Sequence, residues 1–341
     1  MHAGLAKGLR ANPSASLKVE TVFAAPVLLS GLSCLVLSAK EEKVLDQLFK
    51  VHLQRLLRLH QSTPAPVVYF LAGSLPFPAL LHLRMISLFG QLCRLRGGDN
   101  ILASHGTNVF SSANSSSKSW FWKIRSLFIQ YCLPHPSTWL SFPPSKEHVK
   151  SLTRAAVLQY WLHHLRSQAD SLPSMKYLNT SYLGLTKCHP LFRSCGASPW
   201  EVEKATSQAR LLSGRYRVES LTGHWVPANR EGLCNLPSCL GTAAAHRGSV
   251  ECFLLSCPSL SVTREALLQY TLSYLQDNPL LLLVEQCLSL APAQFWLDCS
   301  TMPAIIMATQ SFGEENVLFV ILKLTRNYCH GLHKASLSLI K

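Results

Sequence analysis

The clearest hydrophobic pattern lies between Ser38 and His60, where apolar residues recur at roughly helical spacing. This spacing places them on one face of a helix, and Lys, Arg and His side chains occupy the other face. The Ser38 hydroxyl can cap the first turn, and Glu41 three residues later completes a capping box. The pattern therefore predicts a helix that begins directly after Ser38.

The same spacing predicts further helices along the chain. They cover residues 79–96, 150–172, 199–212, 264–276 and 315–333. The stretch between Glu20 and Lys40, which contains the apolar run 22–37, has no charged residue and is nearly long enough to span a membrane, but Pro26, Gly31 and several serines interrupt it. We interpret it as a buried core helix. Together these segments predict a mainly α fold.

Turn-forming and Cys-rich segments divide the chain into five predicted parts. Residues 1–110 form a helical region, and 111–145 form a Ser- and Pro-rich loop and connector. A helical linker domain covers 146–223, a Cys-rich segment covers 224–260, and C-terminal helices cover 261–341. Because the Cys-rich segment is also rich in Gly, Pro and Asn, we expect it to form a separate small lobe.

The chain is strongly basic, with a formal net charge of +14 and a sequence pI of about 9.4. Such an excess of positive charge attracts polyanions, first nucleic acid and second an anionic membrane. A basic protein without such a partner is the alternative. We expect RNA or DNA, bound mainly by its backbone, and we expect neither a membrane nor a small-molecule substrate as partner.

The cysteines indicate a reducing compartment. There are twelve of them, scattered along the chain, and many lie in apolar runs. This distribution is typical of reduced, buried thiols rather than of a disulfide framework. No secretory signal is recognisable at the start of the chain. We therefore expect an intracellular protein, in either the nucleus or the cytoplasm.

The sequence lacks the motifs of enzymes that act on nucleic acids. A polymerase needs paired carboxylates that hold two metal ions, and none of the five Asp residues lies next to another acidic residue. The acidic pairs, such as Glu41-Glu42, lie at predicted helix starts, where the helix dipole explains them. No phosphate-binding loop, nucleophile elbow or zinc-protease helix is present. We predict no catalytic activity.

Several basic residues are candidates for contacts with a nucleic-acid backbone. They are Lys50, Arg55, Arg58, Arg84, Lys123 and Arg125. The first three belong to the polar side of the helix after Ser38, where a merely solvated face is the alternative. The last two lie in Trp120-Phe-Trp-Lys-Ile-Arg125, whose aromatic side chains could stack on bases, although we favour a role in the core.

The strongest local signal is a cluster of cysteines. Cys234 and Cys239 flank a Leu-Pro turn that can bring both sulfurs toward one point, and Cys252 and Cys257 follow with the same spacing. Structural zinc takes four Cys or His ligands in a tetrahedral arrangement, often as two close pairs. We predict one zinc ion on these four cysteines, with His246 as the alternative to Cys252. Free cysteines that only fill the core are the competing hypothesis.

A series of short motifs in the first part of the chain resembles a known family. Gly4-Leu-Ala-Lys-Gly-Leu9 precedes a segment that contains Pro26-Val-Leu-Leu-Ser-Gly-Leu32, and the basic residues of 48–59 and Tyr69-Phe-Leu-Ala-Gly-Ser-Leu-Pro76 follow. In this order they resemble the thumb region of LINE-type non-LTR retrotransposon reverse transcriptases. Ser30 stands where an aromatic residue is common in that family.

The resemblance extends to the tail. Gly248-Ser-Val-Glu-Cys-Phe-Leu-Leu-Ser-Cys-Pro-Ser-Leu260 resembles the family's zinc-knuckle finger, with Cys252 where His is usual, and Leu324-Thr-Arg-Asn-Tyr-Cys-His-Gly-Leu-His333 resembles the closing helix. The resemblance implies a thumb-like region over 1–110, a zinc knuckle over 224–260, and a catalytic core upstream of this chain. We therefore expect a non-catalytic, nucleic-acid-binding C-terminal fragment of a reverse transcriptase. The alternative is a helical scaffold or interaction protein.

Overall fold

The computed structural model describes residues 12–95, 119–172, 175–196, 198–214, 234, 236–240 and 249–340. Within these ranges the chain is mainly helical and contains no strand, which confirms the predicted mainly α fold. In chain order the α-helices are α1 (Pro13–Val19), α2 (Ala25–Leu29), α3 (Ala39–Leu56), α4 (Ala65–Ala72), α5 (Phe77–Arg94), α6 (Trp120–Gln130), α7 (Pro136–Ser141), α8 (Lys146–Asp170), α9 (Pro190–Arg193), α10 (Pro199–Leu212), α11 (Pro237–Leu240), α12 (Ser261–Tyr274), α13 (Leu280–Leu290), α14 (Pro292–Asp298), α15 (Pro303–Phe312) and α16 (Leu318–Ile340). The shorter helical turns are Glu20–Ala24 and Cys252–Ser256, both π-helical, and Leu32–Cys34, Pro258–Leu260 and Cys299–Thr301, all 3₁₀.

Helix α3 begins as its sequence predicts. The Ser38 hydroxyl accepts a hydrogen bond from the Glu41 backbone N–H at 3.3 Å, and the Glu41 carboxylate accepts one from the Ser38 backbone N–H at 2.7 Å. Both otherwise unpaired N–H groups are thus satisfied. The capping box is confirmed, and it fixes the direction in which α3 leaves the preceding loop.

The interpretation of 22–37 as one buried core helix is wrong. The helical turns end at Leu29, Gly31 has a φ of 80°, and a 3₁₀ turn follows. Val22, Phe23 and Val27 are each between 61% and 76% exposed. The run is apolar on every side, but a helix on the surface of a protein can bury only one stripe, which here contains Ala25 and Leu29.

Helix α5 is the centre of the N-terminal half, by which we mean residues up to 172, and packs against α3, α6 and α8; the residues from 175 on are the C-terminal half. Gly90 allows α8 to approach closely, because a Cβ atom at this position would lie only 3.1 Å from both methyl groups of Val149. Phe89 fills the space beside the crossing and contacts the rings of Phe128 and Trp139 at centroid distances of 5.6 and 6.2 Å. These contacts fix the relative positions of α5 and α8.

Helix α16 is the centre of the C-terminal half and packs against α10, α12 and α14. Its Tyr328 ring stacks on Trp296 of α14 at a centroid distance of 3.7 Å. The predicted helices 199–212, 264–276 and 315–333 correspond to α10, α12 and α16. The sequence did not predict α13 and α15.

The two halves share one continuous core. The backbone N–H of His189 donates to the carbonyl of Leu71 at 3.0 Å, and Arg210 Nε donates to the carbonyl of Arg58 at 3.1 Å. The division into five predicted parts stays a prediction, and its loop at 111–118 lies outside the described residues.

No single helix in the described parts of the chain is both long and apolar enough to cross a membrane. Two pairs of consecutive helices, each pair bent at its junction, together have the length and apolar composition of a membrane span. They are Ala65–Ala72 with Phe77–Arg94 and Leu280–Leu290 with Pro292–Thr301.

A histidine on α16 predicts how stability depends on pH. Burial lowers the pKa of His333 from 6.5 to about 4, and the neighbouring His330 contributes in the same direction. In the unfolded chain His333 is protonated below about pH 6.5, whereas in the folded chain it stays neutral until about pH 4. The free energy of unfolding therefore falls as the pH drops from 6.5 to 4. Because His333 is partly exposed, we expect this histidine to account for only about 1 kcal/mol.

Urea unfolding at pH 7.5 and at pH 5.5 measures this effect. The loss of stability between the two should shrink in His333→Gln and stay unchanged in the matched control His163→Gln, since His163 is exposed on α8. An equal loss in both variants would contradict the assignment to His333.

Candidate metal centre

Two short segments carry the cysteines of the predicted knuckle. Cys234 lies shortly before α11, and Cys239 lies on it, with its N–H bonded to the carbonyl of Leu236 at 2.9 Å. Cys252 begins the π-helical turn and Cys257 follows it, with a 2.7 Å hydrogen bond from Cys257 N–H to the Cys252 carbonyl. The π-helical turn ends at Ser256, and Pro258 begins a 3₁₀ turn.

Three of the four predicted cysteines come together. The Sγ atoms of Cys234, Cys239 and Cys257 all lie within 4.8 Å of one another, and each residue is buried. Cys257 Sγ is 3.8 Å from Cys234 Sγ and 3.5 Å from Cys239 Sγ. Two sulfurs bound tetrahedrally to zinc at about 2.3 Å are themselves roughly 3.8 Å apart. The three thiols could therefore hold a metal ion.

The pKa values of Cys234 and Cys257 are shifted in opposite directions. Hydrogen bonds from Cys234 and then Cys239 lower the pKa of Cys257, although burial opposes this effect. The pKa of Cys234 is raised because its thiol is hydrogen-bonded to Cys257 and because it is buried. Cys257 thus becomes a thiolate more readily than Cys234, and the thiolate is the form of cysteine that binds metal.

The fourth predicted ligand is not part of this group. Cys252 is buried beside the three cysteines, but its sulfur does not lie within 4.8 Å of all three of their sulfurs. Burial raises the pKa of Cys252, and the sulfurs of Cys257 and Cys239 raise it further. The alternative ligand His246 lies outside the described residues.

The C-terminal helices hold the second segment in place. Tyr328 on α16 donates its hydroxyl to the carbonyl of Leu254 at 2.9 Å. Arg264 on α12 donates to the same carbonyl at 3.0 Å and to the carbonyl of Cys257 at 2.8 Å. The sequence alone did not predict these two residues, because their partners are backbone carbonyls that leave no motif. They fix the backbone that carries Cys257.

The predicted nucleic-acid contacts lie on three helices and at the end of one of them. Lys50 and Arg55 are on α3, and Arg58 follows it with a φ of 55°. Arg84 lies on α5, exposed at the edge of a cleft.

The last two predicted contacts are on α6. Lys123 forms an ion pair with Glu42, with Nζ 2.7 Å from Oε1, so its charge is balanced within the chain. Arg125 is partly exposed and forms no ion pair with any described residue. Trp120 packs on the ring of Phe121 at 5.3 Å and donates its indole N–H to the carbonyl of Ser33 at 2.8 Å. Trp120 and Phe121 therefore contribute to the core, as the sequence favoured, whereas Trp122 is 37% exposed.

One group of basic residues was not among the predicted contacts. Lys146, Lys150 and Arg154 line the same cleft as Arg84 and lie four residues apart along α8. Their spacing was visible in the sequence, but the presence of a cleft in front of them was not.

The comparisons with known proteins give no family. No family model, no curated protein and no solved structure matches the chain.

Proposed function

We propose that the chain binds nucleic acid without catalysing a reaction, and that one zinc ion holds its Cys-rich segment. The observation that carries the proposal is the group of three buried sulfurs, which lie at the separation that tetrahedral zinc requires. The net charge of +14 supports a polyanionic partner.

The ligands favour zinc over the harder cations. Thiolates are soft ligands, which zinc accepts and which calcium or magnesium does not. We propose Cys252 as the fourth ligand, because it is buried beside the other three and a change of its rotamer would move its sulfur. A site closed by four protein ligands has a structural role, since a catalytic zinc keeps one position open.

The proposed nucleic-acid contacts are Lys50, Arg55, Arg58, Arg84 and Arg125. We leave Lys123 out of this set, because its ammonium group already pairs with Glu42. The remaining residues lie on α3, α5 and α6, or directly after α3, and α5 packs against both of the other helices. Contacts of this kind hold the phosphate backbone and carry no base sequence information.

We further propose that the chain corresponds to the region after the catalytic core of a LINE-type reverse transcriptase. The order of the short motifs and the cysteine pairs support this origin. Within it, the α3 region would hold a duplex by its backbone, and the Cys-rich segment would hold template RNA or target DNA. The intracellular location stays a prediction.

A salt titration tests the nucleic-acid proposal. Binding of a fluorescein-labelled RNA–DNA duplex, followed by anisotropy, should weaken steeply with added salt. If four phosphates are contacted, the slope of log K against log salt is about −3 to −4. Arg55→Glu should flatten the slope by about 1 to 2, while Lys323→Glu on α16 makes the same charge change away from α3 and should leave it unchanged.

The competing hypothesis of a helical scaffold predicts a different result. The exposed Val22, Phe23 and Val27 favour that hypothesis, because an exposed apolar surface is typical of protein contacts. Binding that is absent, or equal in the two variants, would contradict the nucleic-acid proposal and favour the scaffold.

A further inference from the structure

A cleft of about 570 Å³ opens between the N-terminal helices, α5 and the first half of α8. Its volume lies within the range of roughly 300–1,000 Å³ in which small molecules bind. Phe49 and Leu53 of α3 line it. The cleft lies outside the metal centre, and none of the four cysteines lines it.

One side of the cleft is apolar. Leu17 and Leu29 of the N-terminal helices are buried there, and Phe49 and Leu53 continue the same surface. An aliphatic chain in this position would remove further apolar surface from water, which is the main source of affinity for such ligands.

The opposite side is cationic. Lys146, Lys150 and Arg154 form a stripe along α8, and Arg84 and Arg94 face it from α5. Among the described residues, none of these five side chains forms an ion pair. The single carboxylate of the lining, Glu20, is already bound to His52, with Oε2 2.7 Å from Nε2.

This stripe of cations is not explained by the fold. Lys146 and Lys150 lie in the first turns of α8, where the positive end of the helix dipole disfavours cations. Like charges four residues apart on a helix also repel each other. A bound anion would relieve both unfavourable interactions.

Thr153 gives an independent indication of a ligand. It is only 3% exposed, lines the cleft between Lys150 and Arg154, and its hydroxyl has no hydrogen-bond partner. Three other buried helical threonines donate to a carbonyl of the preceding turn: Thr206 at 2.8 Å, Thr271 at 2.9 Å and Thr325 at 3.2 Å. A buried hydroxyl without a partner is unfavourable, so the geometry calls for an acceptor from outside the chain.

We propose that this cleft binds an amphipathic anion, namely an aliphatic chain that carries a phosphate or carboxylate head. The chain packs against the Leu29 and Leu53 side. The head lies beside Lys150 and Arg154 and accepts a hydrogen bond from Thr153. A nucleic-acid backbone is polar along its whole length and would leave the apolar side of the cleft uncovered. The proposal does not depend on the zinc ion, and of the proposed nucleic-acid contacts only Arg84 also lines the cleft.

Calorimetric titration of the full chain tests the proposal. The probes are oleoyl lysophosphatidate and oleate, each below its micelle concentration, and inorganic phosphate. At least one of the two amphiphiles should bind with one site per chain. Phosphate alone should bind at least about a hundredfold more weakly, because it leaves the apolar side empty.

Three variants show whether the cleft is the site. Lys150→Glu should weaken binding about tenfold or more, because the ion pair with the head is replaced by repulsion. Thr153→Val should weaken it about fivefold through the lost hydrogen bond, while its melting temperature stays the same or rises. Lys43→Glu, an exposed residue of α3 that does not line the cleft, should bind like the wild type.

Each contrary result overturns the proposal. If neither amphiphile binds, or if phosphate binds as tightly as they do, the cleft is not an amphiphile site. If Thr153→Val changes only the melting temperature, Thr153 has a packing role alone. If the labelled duplex binds through Lys150 while both amphiphiles fail, the cationic stripe belongs to the nucleic-acid surface.

Discussion

Cys257→Ser should abolish stoichiometric zinc binding and destabilise the C-terminal half of the protein. Cys257 is the shared neighbour in the cysteine group, since the sulfurs of both Cys234 and Cys239 contact it. A serine hydroxyl remains protonated at neutral pH and is a poor zinc ligand. Because the binding energy of a structural zinc adds directly to the stability of the fold, we expect a loss of several kcal/mol, on the order of 4.

The measurement is metal content together with urea unfolding, on protein purified without chelator. The wild type should contain about one zinc per chain, and Cys234→Ser and Cys239→Ser should lose it as Cys257→Ser does. The matched control is Cys287→Ala, which removes another fully buried thiol outside the group and should keep its zinc. A wild-type protein without stoichiometric zinc would show that these cysteines only fill the core.

A second pair of variants identifies the fourth ligand. If Cys252 completes the site, Cys252→Ser should lower the zinc content, whereas His246→Ala should leave it unchanged. The opposite result would assign the position to His246. If both variants keep the zinc content of the wild type, neither side chain is required and another group completes the coordination.

The helices of the chain could be predicted from the sequence wherever a polar and an apolar face alternate. Helix α3 has such a period and a capping box, so both its existence and its first residue were predicted correctly. The run 22–37 has no polar face, so its period could not show which residues are buried or where Gly31 ends the helical turns.

The cysteine site could be predicted only in part. Spacing identified the four cysteines, because close pairs on turns are a local feature. It could not show that Cys234, Cys239 and Cys257 come together while Cys252 lies beside them, since this depends on the π-helical turn and on its anchoring by Tyr328. The cleft could not be predicted from the sequence, because its lining comes from α1, α2, α3, α5 and α8, which are far apart along the chain.

Gly73→Ala should destabilise the protein by about 3 to 5 kcal/mol. Gly73 ends α4 with a φ of 62°, and its N–H and that of Ser74 donate to the carbonyls of Phe70 and Tyr69. A Cβ atom at this position would overlap the carbonyl group of Lys187 and lie 2.5 Å from Cys188 N. These are backbone atoms, so no side-chain rotation can relieve the overlap.

The overlap acts on the contact between the two halves of the molecule. The segment after Lys187 is held against the end of α4 by the hydrogen bond from His189 N–H to the Leu71 carbonyl. Moving this segment to make room for a methyl group would break that bond. It would also disturb the packing of α9, which follows directly. The cost therefore exceeds that of an unfavourable φ alone.

Gly31→Ala is the matched control for this prediction. Gly31 also has a positive φ, 80°, but no atom lies within 4 Å of the Cβ position. Alanine there should cost only the backbone strain, about 1 to 2 kcal/mol. Urea unfolding of both variants separates strain from overlap: a similar loss in the two would show that Gly73 is needed only for its φ, and that the approach of Lys187 to α4 contributes nothing to stability.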